Sequence, residues 1–429
     1  MSDHAMVMPT PRDIAAKIPG KPNGGVRATF AVLALIGVAV FAMTVVSDPQ
    51  RGWSALNHGL MFWMVMAQGC LVVSGVMYLT KAKYAVGFQR VAVGAGSFLP
   101  WAYGIFVVSL LLGNAWIFPW VKHPVEGDKA AYLNLPFMLV RQIGLVGICT
   151  ALSVLYMRRV RRVDAGLAAP YVAEPLKARY QKWSAGWKGD QAEIASAAVD
   201  LPRFGGALIP VYAATYTVVC WDWVMSQDVH FAGTMLGAWF FMGGILMGWA
   251  MTSVLSILCR RAYGLEAWQT RDNYHQIGKL IFAFSIFWVY LFWSMFLPIW
   301  YANMPEETGW VVRRMRQPYL PWSVAALGLT WFVPFSGFMN LAAKRNMGTH
   351  FFFATVVLVG LWIERLMMIY PSVYVSKLPF GLPEIGVNLA LFGIFALCFQ
   401  AYATTRPLVA LDRLEDIVAE HVEMEADVD

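Results

Sequence analysis

The sequence predicts an all-α polytopic membrane protein with about ten transmembrane helices. Of its 429 residues, 59% are hydrophobic and only 14% are charged, and the mean hydropathy is +0.54. A water-soluble core of this size does not need so apolar a composition. The apolar residues also fall into separate runs of about 20, which is the helix length that crosses a hydrocarbon layer of about 30 Å.

These runs follow one another along most of the chain, and polar turns separate them. We predict helices at residues 28–46, 55–79, 91–112, 135–157, 204–225, 233–258, 276–300, 319–341, 350–370 and 384–405. Prolines inside the runs are compatible with membrane helices, because neighbouring helices satisfy the freed backbone groups.

The order of the runs also predicts the domain organisation. Residues 1–27 are polar and form an uncleaved cytoplasmic segment, since the run that follows fills a whole span. Residues 28–405 form the membrane domain, with one long cytoplasmic loop at 158–203. Residues 406–429 form an acidic cytoplasmic tail.

Helices two to five and six to nine are predicted to form two four-helix bundles, with helices one and ten at the periphery. The first helix of each group is preceded or begun by a histidine, His58 or His230. The last helix of each group carries an acid, Asp222 or Glu364. Such parallel repeats are a known membrane architecture, so this correspondence favours an internal repeat.

The distribution of lysine and arginine predicts the orientation in the membrane. Of the 33 basic residues, 24 fall on the side of the termini and only 7 on the other side. Both termini are therefore expected to be cytoplasmic. The net charge of +7 is spread over short loops, which is typical of membrane orientation and does not indicate nucleic-acid binding.

The cysteines and histidines do not predict a redox centre in this chain. The five cysteines are far apart, without a Cys-x-x-Cys motif, and are expected to be packing residues. No pair of histidines falls at membrane depth, as a b-type haem between helices needs. We therefore expect no metal, haem or iron–sulfur ligands here.

Two adjacent charges, Glu364 and Arg365, interrupt the apolar run at residues 350–370. A charged residue at the centre of a membrane helix costs about 2.5–3.5 kcal/mol on insertion scales, so such a pair usually faces the protein interior. It is either a functional site or a structural pair that neutralises itself between helices. Neighbours in a helix point about 100° apart, so each charge is expected to have its own partner.

Other polar residues are expected at the same side of the membrane as Glu364. His58, Arg141 with Gln142, and Asp222 all fall in the periplasmic halves of their predicted helices, and the cytoplasmic halves are nearly free of charge. An acid–base cluster at one depth can take up or release protons. Asp222 has an alternative explanation, because Trp221 and Trp223 on either side are typical of an aromatic belt at the membrane surface.

Three segments carry a resemblance to a known family. They are Trp-Asp-Trp-Val-Met-Ser-Gln-Asp-Val-His-Phe at 221–231, which leads into Thr234 and Gly237, Phe-Trp-Val-Tyr at 287–290, and Trp-Tyr-Ala-Asn-Met-Pro-Glu-Glu-Thr at 300–308. With them the chain resembles the NrfD/polysulfide-reductase membrane-subunit family over nearly its whole length. It is most similar to the second NrfD-like subunit, the ActF type, of alternative complex III.

The resemblance implies an integral subunit of a bacterial respiratory quinol:cytochrome c or quinol:oxidase oxidoreductase in the inner membrane, inactive when isolated. Its implied partners are the sister NrfD-like subunit ActC, the iron–sulfur and molybdopterin-like subunit ActB, the multihaem cytochrome c subunit ActA, the small membrane subunits ActD and ActE, a terminal oxidase and lipids. Haem c and iron–sulfur clusters would then belong to partner subunits. The ActF type is assigned either a quinone-binding role or a part in proton translocation.

Both roles can be placed on this sequence. The candidates for a proton path are Glu364, Arg365, Arg141, Asp222, His58, Asp228 and His230, and those for a quinone pocket are His58, Arg141, Asp222 and Glu364. We favour the proton path, because charged groups outnumber the aromatic and hydrogen-bonding groups expected around a neutral apolar ligand. A secondary transporter and a purely structural membrane anchor are the alternatives.

Overall fold

The computed structural model describes residues 10–414 and confirms an all-α membrane protein. No β-strand occurs within this range. Ten helices are long and apolar enough to cross a membrane. They are α1 (Gly24–Ser47), α2 (Pro49–Leu79), α3 (Gln89–Leu112), α4 (Leu135–Ala168), α5 (Asp190–Trp223), α6 (Leu236–Arg260), α7 (Arg271–Ala302), α8 (Leu320–Met339), α9 (Met347–Val373) and α10 (Leu382–Ala403). We call the side where α1 begins the near side and the other the far side.

Five of these helices begin at a side chain that can cap them. Asn, Asp and Thr side chains accept hydrogen bonds from the first free backbone N–H groups of a helix, which otherwise lack partners. The capping residues are Asn23, Asp48, Asn134, Thr270 and Asn346, in front of α1, α2, α4, α7 and α9. The helix starts are thus fixed by residues outside the apolar runs.

The segment at 158–203, predicted as a cytoplasmic loop between two spans, is mostly helical. α4 continues to Ala168, a short helix covers Glu174–Trp183, and α5 begins at Asp190. The extensions of α4 and α5 are joined by ion pairs of Glu193 with Arg159 at 3.0 Å and with Arg162 at 2.7 Å. Apolar patterning marked only the part of each helix that crosses the membrane, and these pairs extend the helices beyond it.

The two predicted four-helix groups pack against each other along α2 and α6. Gly69 of α2 faces Gly244 and Gly248 of α6, and a Cβ atom at Gly248 would lie 2.5 Å from the Gly69 carbonyl carbon. Small residues let membrane helices approach closely, so this glycine contact sets the distance between the groups. α1 and α10 pack against each other and against the outer face of α2, which confirms their peripheral position.

Helix α8 is irregular and contacts α9 closely. It consists of Leu320–Leu327, a π-helical turn at Gly328–Phe332, and Val333–Met339. Pro334 removes one backbone donor from this region, which favours such a local rearrangement. At the same level, a Cβ atom on Gly360 of α9 would lie 2.6 Å from a backbone nitrogen of α8. α8 and α9 therefore meet backbone to backbone in the second group.

The described end of the chain packs on the near side of the helices. Residues 408–411 are buried, and the Ala410 N–H donates to the Val86 carbonyl at 3.1 Å. The predicted acidic tail therefore begins with a segment that lies against the membrane domain itself. Its remaining residues, 415–429, lie outside the described residues.

Candidate functional site

An apolar cavity of about 270 Å³ lies on the far side of the second four-helix group. Helices α6 to α9 surround it, together with a short helix, Pro305–Met315, which we call the rim helix. Three of its lining residues, Trp293, Met315 and Val324, are exposed on the outside of the helices. In a bilayer this outer surface faces lipid, so the cavity opens sideways towards the hydrocarbon layer.

Aromatic side chains form one wall of the cavity. The ring centres of Trp239 and Trp288 are 5.4 Å apart, and those of Trp239 and Phe292 are 5.6 Å apart. Phe292 stacks on Phe296 with 5.9 Å between centres. Trp288, Phe292 and Phe296 follow one another at intervals of four residues, which places them on one face of α7. Flat aromatic surfaces of this kind are suited to a flat ring ligand.

Glu364 lies at the edge of this cavity, close to the indole N–H of Trp288, and accepts no well-formed hydrogen bond within residues 10–414. It is 2% exposed, and neither of its carboxylate oxygens accepts a hydrogen bond within the described part of the chain. The nearest cation is the Nε of Arg365, 3.4 Å from Oε2. Most buried polar groups in proteins are hydrogen-bonded, so an unsatisfied carboxylate beside a cavity indicates a ligand or water partner.

Arg365 is held mainly by helix α6. Its Nη2 donates to the Phe240 carbonyl at 2.7 Å, and its guanidinium carbon lies 3.9 Å from the centre of the Phe240 ring. Gly243 leaves room for it, because a Cβ atom there would lie 2.7 Å from Nη2. Arg365 thus has a partner of its own in Phe240, as expected. Glu364 has only the nearby Trp288 indole and Arg365 itself, and neither forms a well-aligned hydrogen bond with it.

Arg314 of the rim helix also lines the cavity, and the sequence analysis missed it. Its Nε donates to the Met367 carbonyl at 2.8 Å and its Nη2 to the Met368 carbonyl at 2.7 Å. Pro371 has no N–H group, so the carbonyl four residues earlier, that of Met367, loses its helical partner. Pro371 within an apolar run was the sequence signal for this contact. The guanidinium also lies over the Trp310 ring at 3.3 Å.

Asp222 belongs to a separate group between α4 and α5, in which both of its carboxylate oxygens accept hydrogen bonds. Arg141 donates to its two oxygens at 2.7 Å and 2.6 Å, and the Gln142 amide donates as well. The guanidinium of Arg141 lies 3.8 Å from the centre of the Tyr132 ring. Asp222 is fully buried and faces α4 rather than the outer surface of the helices.

His58 contacts α9 and α10. Its Nε2 lies 3.1 Å from the Trp362 carbonyl, and its Nδ1 lies 3.5 Å from the Asn388 amide nitrogen. Nearby, Glu384 pairs with Arg51 through two contacts of 2.9 Å each. Glu384 was not among the predicted site residues, because its position at the start of an apolar run indicates a helix end and not a buried ion pair.

The remaining candidates lie at the far-side end of the helices, where Asp228 is buried. Asp228 pairs with Arg313 of the rim helix, and His230 is exposed. Within residues 10–414, no hydrogen bond joins Glu364 to Asp222, His58 or His230. The predicted proton-path residues therefore form several separate groups rather than one cluster.

Buried charge is also present at the near side, which corrects the expectation that this half is nearly free of charge. Arg90 is fully buried and contacts Asp164 at 2.8 Å and Asp412 at 2.6 Å. It also donates to the Tyr78 hydroxyl at 2.6 Å. The two acids lie in the predicted loop and tail, so their sequence positions did not indicate that they are buried. The one-sided distribution of charge cannot by itself indicate a proton path.

Comparison of the chain with protein-family models and with curated protein sequences gave no match. The functional assignment therefore depends on the chemical character of the cavity.

Proposed function

We propose that this protein is an integral subunit of a bacterial respiratory quinol-oxidising complex of the alternative complex III type, and that the cavity beside Glu364 binds the quinol ring. The observation that carries the proposal is the unsatisfied carboxylate of Glu364 at the edge of an aromatic cavity. Two segments that carry the family resemblance lie at this cavity. The motif at 287–290 contributes Trp288, and the motif at 300–308 leads into the rim helix.

The cavity has the chemical features of a site for a neutral ring with hydroxyl groups. Small-molecule sites are mostly apolar and contain a few polar groups that fix the orientation of the ligand. Here the rings of Trp239, Trp288 and Phe292 provide the apolar walls, and Glu364 provides an acceptor for one ligand O–H group. An isoprenoid tail would leave through the side opening between Trp293 and Val324 into the bilayer.

Oxidation of a quinol to a quinone releases two electrons and two protons. In this proposal the Glu364 carboxylate accepts one proton from a quinol hydroxyl, passes it to water on the far side, and can then accept the second. The two electrons would leave one at a time, each reducing a one-electron centre, a haem or an iron–sulfur cluster, in neighbouring subunits. Arg365 keeps the pair neutral overall between transfers, and Phe240 holds its guanidinium in place.

This proposal differs from the preference for a proton path in the sequence analysis. A proton path through this chain needs titratable groups close enough to exchange protons directly or through water. The groups around Asp222, His58 and His230 are instead each closed by their own partners or exposed. Glu364 keeps a role in proton transfer here, but as the first acceptor of a substrate proton.

Quinol oxidation by the purified complex tests the proposal. Glu364→Gln keeps the size of the side chain and removes the base, and loss of a general base typically slows turnover about 10²–10⁴-fold. The matched control is Glu306→Gln, which neutralises an exposed acid in the first turn of the rim helix. We expect turnover to fall at least about 100-fold in Glu364→Gln and to stay within about twofold of wild type in the control.

Two results would favour the alternatives. Unchanged quinol oxidation in Glu364→Gln, with normal complex yield, would favour a structural anchor. Purification of the chain without any haem protein, together with solute uptake by vesicles that contain it alone, would favour a secondary transporter.

A further inference from the structure

A second cavity, of about 740 Å³, lies on the near side between the ends of α6, α7 and α9. It is distant in the fold from the Glu364 cavity, which lies at the far side of the same helices. Its lining includes four arginines and one acid. These are Arg260, Arg261, Arg271, Arg345 and Asp272. Three different parts of the chain bring the arginines together, so their convergence is a property of the fold.

Most of this positive charge is not neutralised inside the chain. Arg345 pairs with Asp272 at 2.7 Å, and the Nε of Arg260 donates to the Gln269 carbonyl at 3.1 Å. The side chains of Arg261 and Arg271 make no hydrogen bond and no ion pair with other described residues. The cavity therefore carries an excess of positive charge with donors directed at no protein acceptor.

Neighbouring lysines add to this charge. Lys344 precedes Arg345, and its pKa is lowered by burial and further by the charge of Lys279. A lysine whose charged form is disfavoured by a like charge lies in a region of positive potential. Such a region attracts anions, and the attraction is strongest for groups with more than one negative charge.

The cavity lies where the apolar surface of the helices begins. Leu258, three residues before Arg261, is 61% exposed, and Leu341, close to Arg345, is 49% exposed. Both side chains are in position to contact acyl chains, while the arginines are in position to contact a headgroup. Basic pockets between membrane helices on the cytoplasmic side bind anionic headgroups, and the positive-inside rule predicts that the near side is cytoplasmic.

From these observations we infer that the near-side cavity is a binding site for an anionic phospholipid with two phosphate groups, of the cardiolipin type. Arg261 and Arg271 would contact the phosphates, and guanidinium groups suit phosphate oxygens because they donate two parallel hydrogen bonds. The acyl chains would lie along α6 next to Leu258. This inference does not depend on the proposal for the Glu364 cavity.

This inference is tested by measuring how tetraoleoyl cardiolipin binds to the delipidated full-length protein in detergent. Binding is measured by native mass spectrometry or by the rise in melting temperature. The test variant is Arg261→Gln/Arg271→Gln. The control is Arg158→Gln/Arg203→Gln, which removes the same charge from two near-side arginines outside the cavity. We expect cardiolipin affinity to fall about 10- to 30-fold in the test variant and less than about threefold in the control.

Comparison with dioleoylphosphatidylcholine and with inorganic phosphate distinguishes the candidate ligands. We expect neither to bind at concentrations that saturate with cardiolipin. Equal binding of phosphatidylcholine would overturn the inference, because the arginines would then not select the headgroup. Displacement of cardiolipin by millimolar phosphate, or equal losses in the test and control variants, would also overturn it. A retained melting temperature without lipid shows that the test variant folds.

Discussion

The two four-helix groups each end in a helix with a buried acid in its far-side half, and these two acids have opposite surroundings. Asp222 in α5 receives two hydrogen bonds from Arg141 and a third from Gln142. Glu364 in α9 receives none, and its adjacent arginine donates to Phe240 instead. Asp222 lies in a closed contact between helices, whereas Glu364 lies at the edge of an open cavity.

This difference separates a structural carboxylate from one that is available for chemistry. A buried acid such as Asp222, with three donors on its two oxygens, is held in one position and has little acceptor capacity left for a ligand. An unsatisfied acid at the corresponding place in the fold can accept a hydrogen bond from a ligand. Burying it without a partner is unfavourable, so binding of a donor is favoured. The comparison predicts that substitutions around Asp222 mainly lower stability, whereas substitution of Glu364 mainly lowers quinol oxidation.

The largest effect on stability is expected at the satisfied site. Arg141→Ala leaves the Asp222 carboxylate buried without its cation, and breaking a buried ion pair costs about 3–5 kcal/mol. The free energy of unfolding in mixed micelles, with the melting temperature as a second readout, measures this loss.

The double variant Arg141→Met/Asp222→Leu is the control for this prediction. Replacement of a whole buried ion pair by apolar residues is often close to neutral, so most of the lost stability should return. If the double variant is as unstable as Arg141→Ala, the loss comes from packing around Tyr132 and not from the unpaired acid.

A smaller loss of stability is expected when Arg314, which lines the cavity beside Glu364, is replaced. Arg314→Met removes the donors to the Met367 and Met368 carbonyls, and an unsatisfied buried polar group costs about 1–3 kcal/mol. The same unfolding measurement applies.

The control is to repeat Arg314→Met in a protein that already carries Pro371→Ala. This substitution restores the N–H group that can pair with the Met367 carbonyl. In this background Arg314→Met should cost clearly less. An equal cost in both backgrounds would show that Arg314 acts through other contacts, such as the Trp310 ring.

The smallest effect on stability is expected at Glu364 itself. Glu364→Gln removes the 3.4 Å ion pair with Arg365, but within residues 10–414 this pair contains no hydrogen bond, and Arg365 keeps its hydrogen bond to the Phe240 carbonyl. We expect the free energy of unfolding to change by less than about 1 kcal/mol, within the range of ordinary substitutions. A loss as large as that of Arg141→Ala would mean that Glu364 is a structural partner of Arg365, and the contrast between the two acids would fail.

Sequence patterns predicted the fold well, since apolar runs of membrane length marked all ten helices. They failed beyond the apolar runs, where ion pairs such as Arg162 with Glu193 extend α4 and α5. They also singled out Asp222 and Glu364, but not the contrast between them. That contrast depends on Arg141 and Phe240, which are far from the two acids in the sequence and meet them only through helix packing.

The composition of the cavity was missed for a related reason. Trp288, Phe292 and Phe296 recur every four residues along α7, but such a stripe is usual for any membrane helix that packs against others. Only the position of Glu364 opposite this stripe indicates a ligand there. Arg314 was missed because it lies outside the predicted helices.

The most direct test of the central claim is photoaffinity labelling of the intact complex with an azido-quinone, followed by mapping of the labelled residues in this chain. We predict adducts on the cavity wall, in the segments that contain Trp288, Trp310 and Met367. Excess unmodified quinone should prevent this labelling, and Glu364→Gln should reduce it at least about tenfold. Labelling around Asp222 and Arg141 instead, or no labelling of this chain while a neighbouring subunit is labelled, would contradict the assignment of quinol binding to the Glu364 cavity.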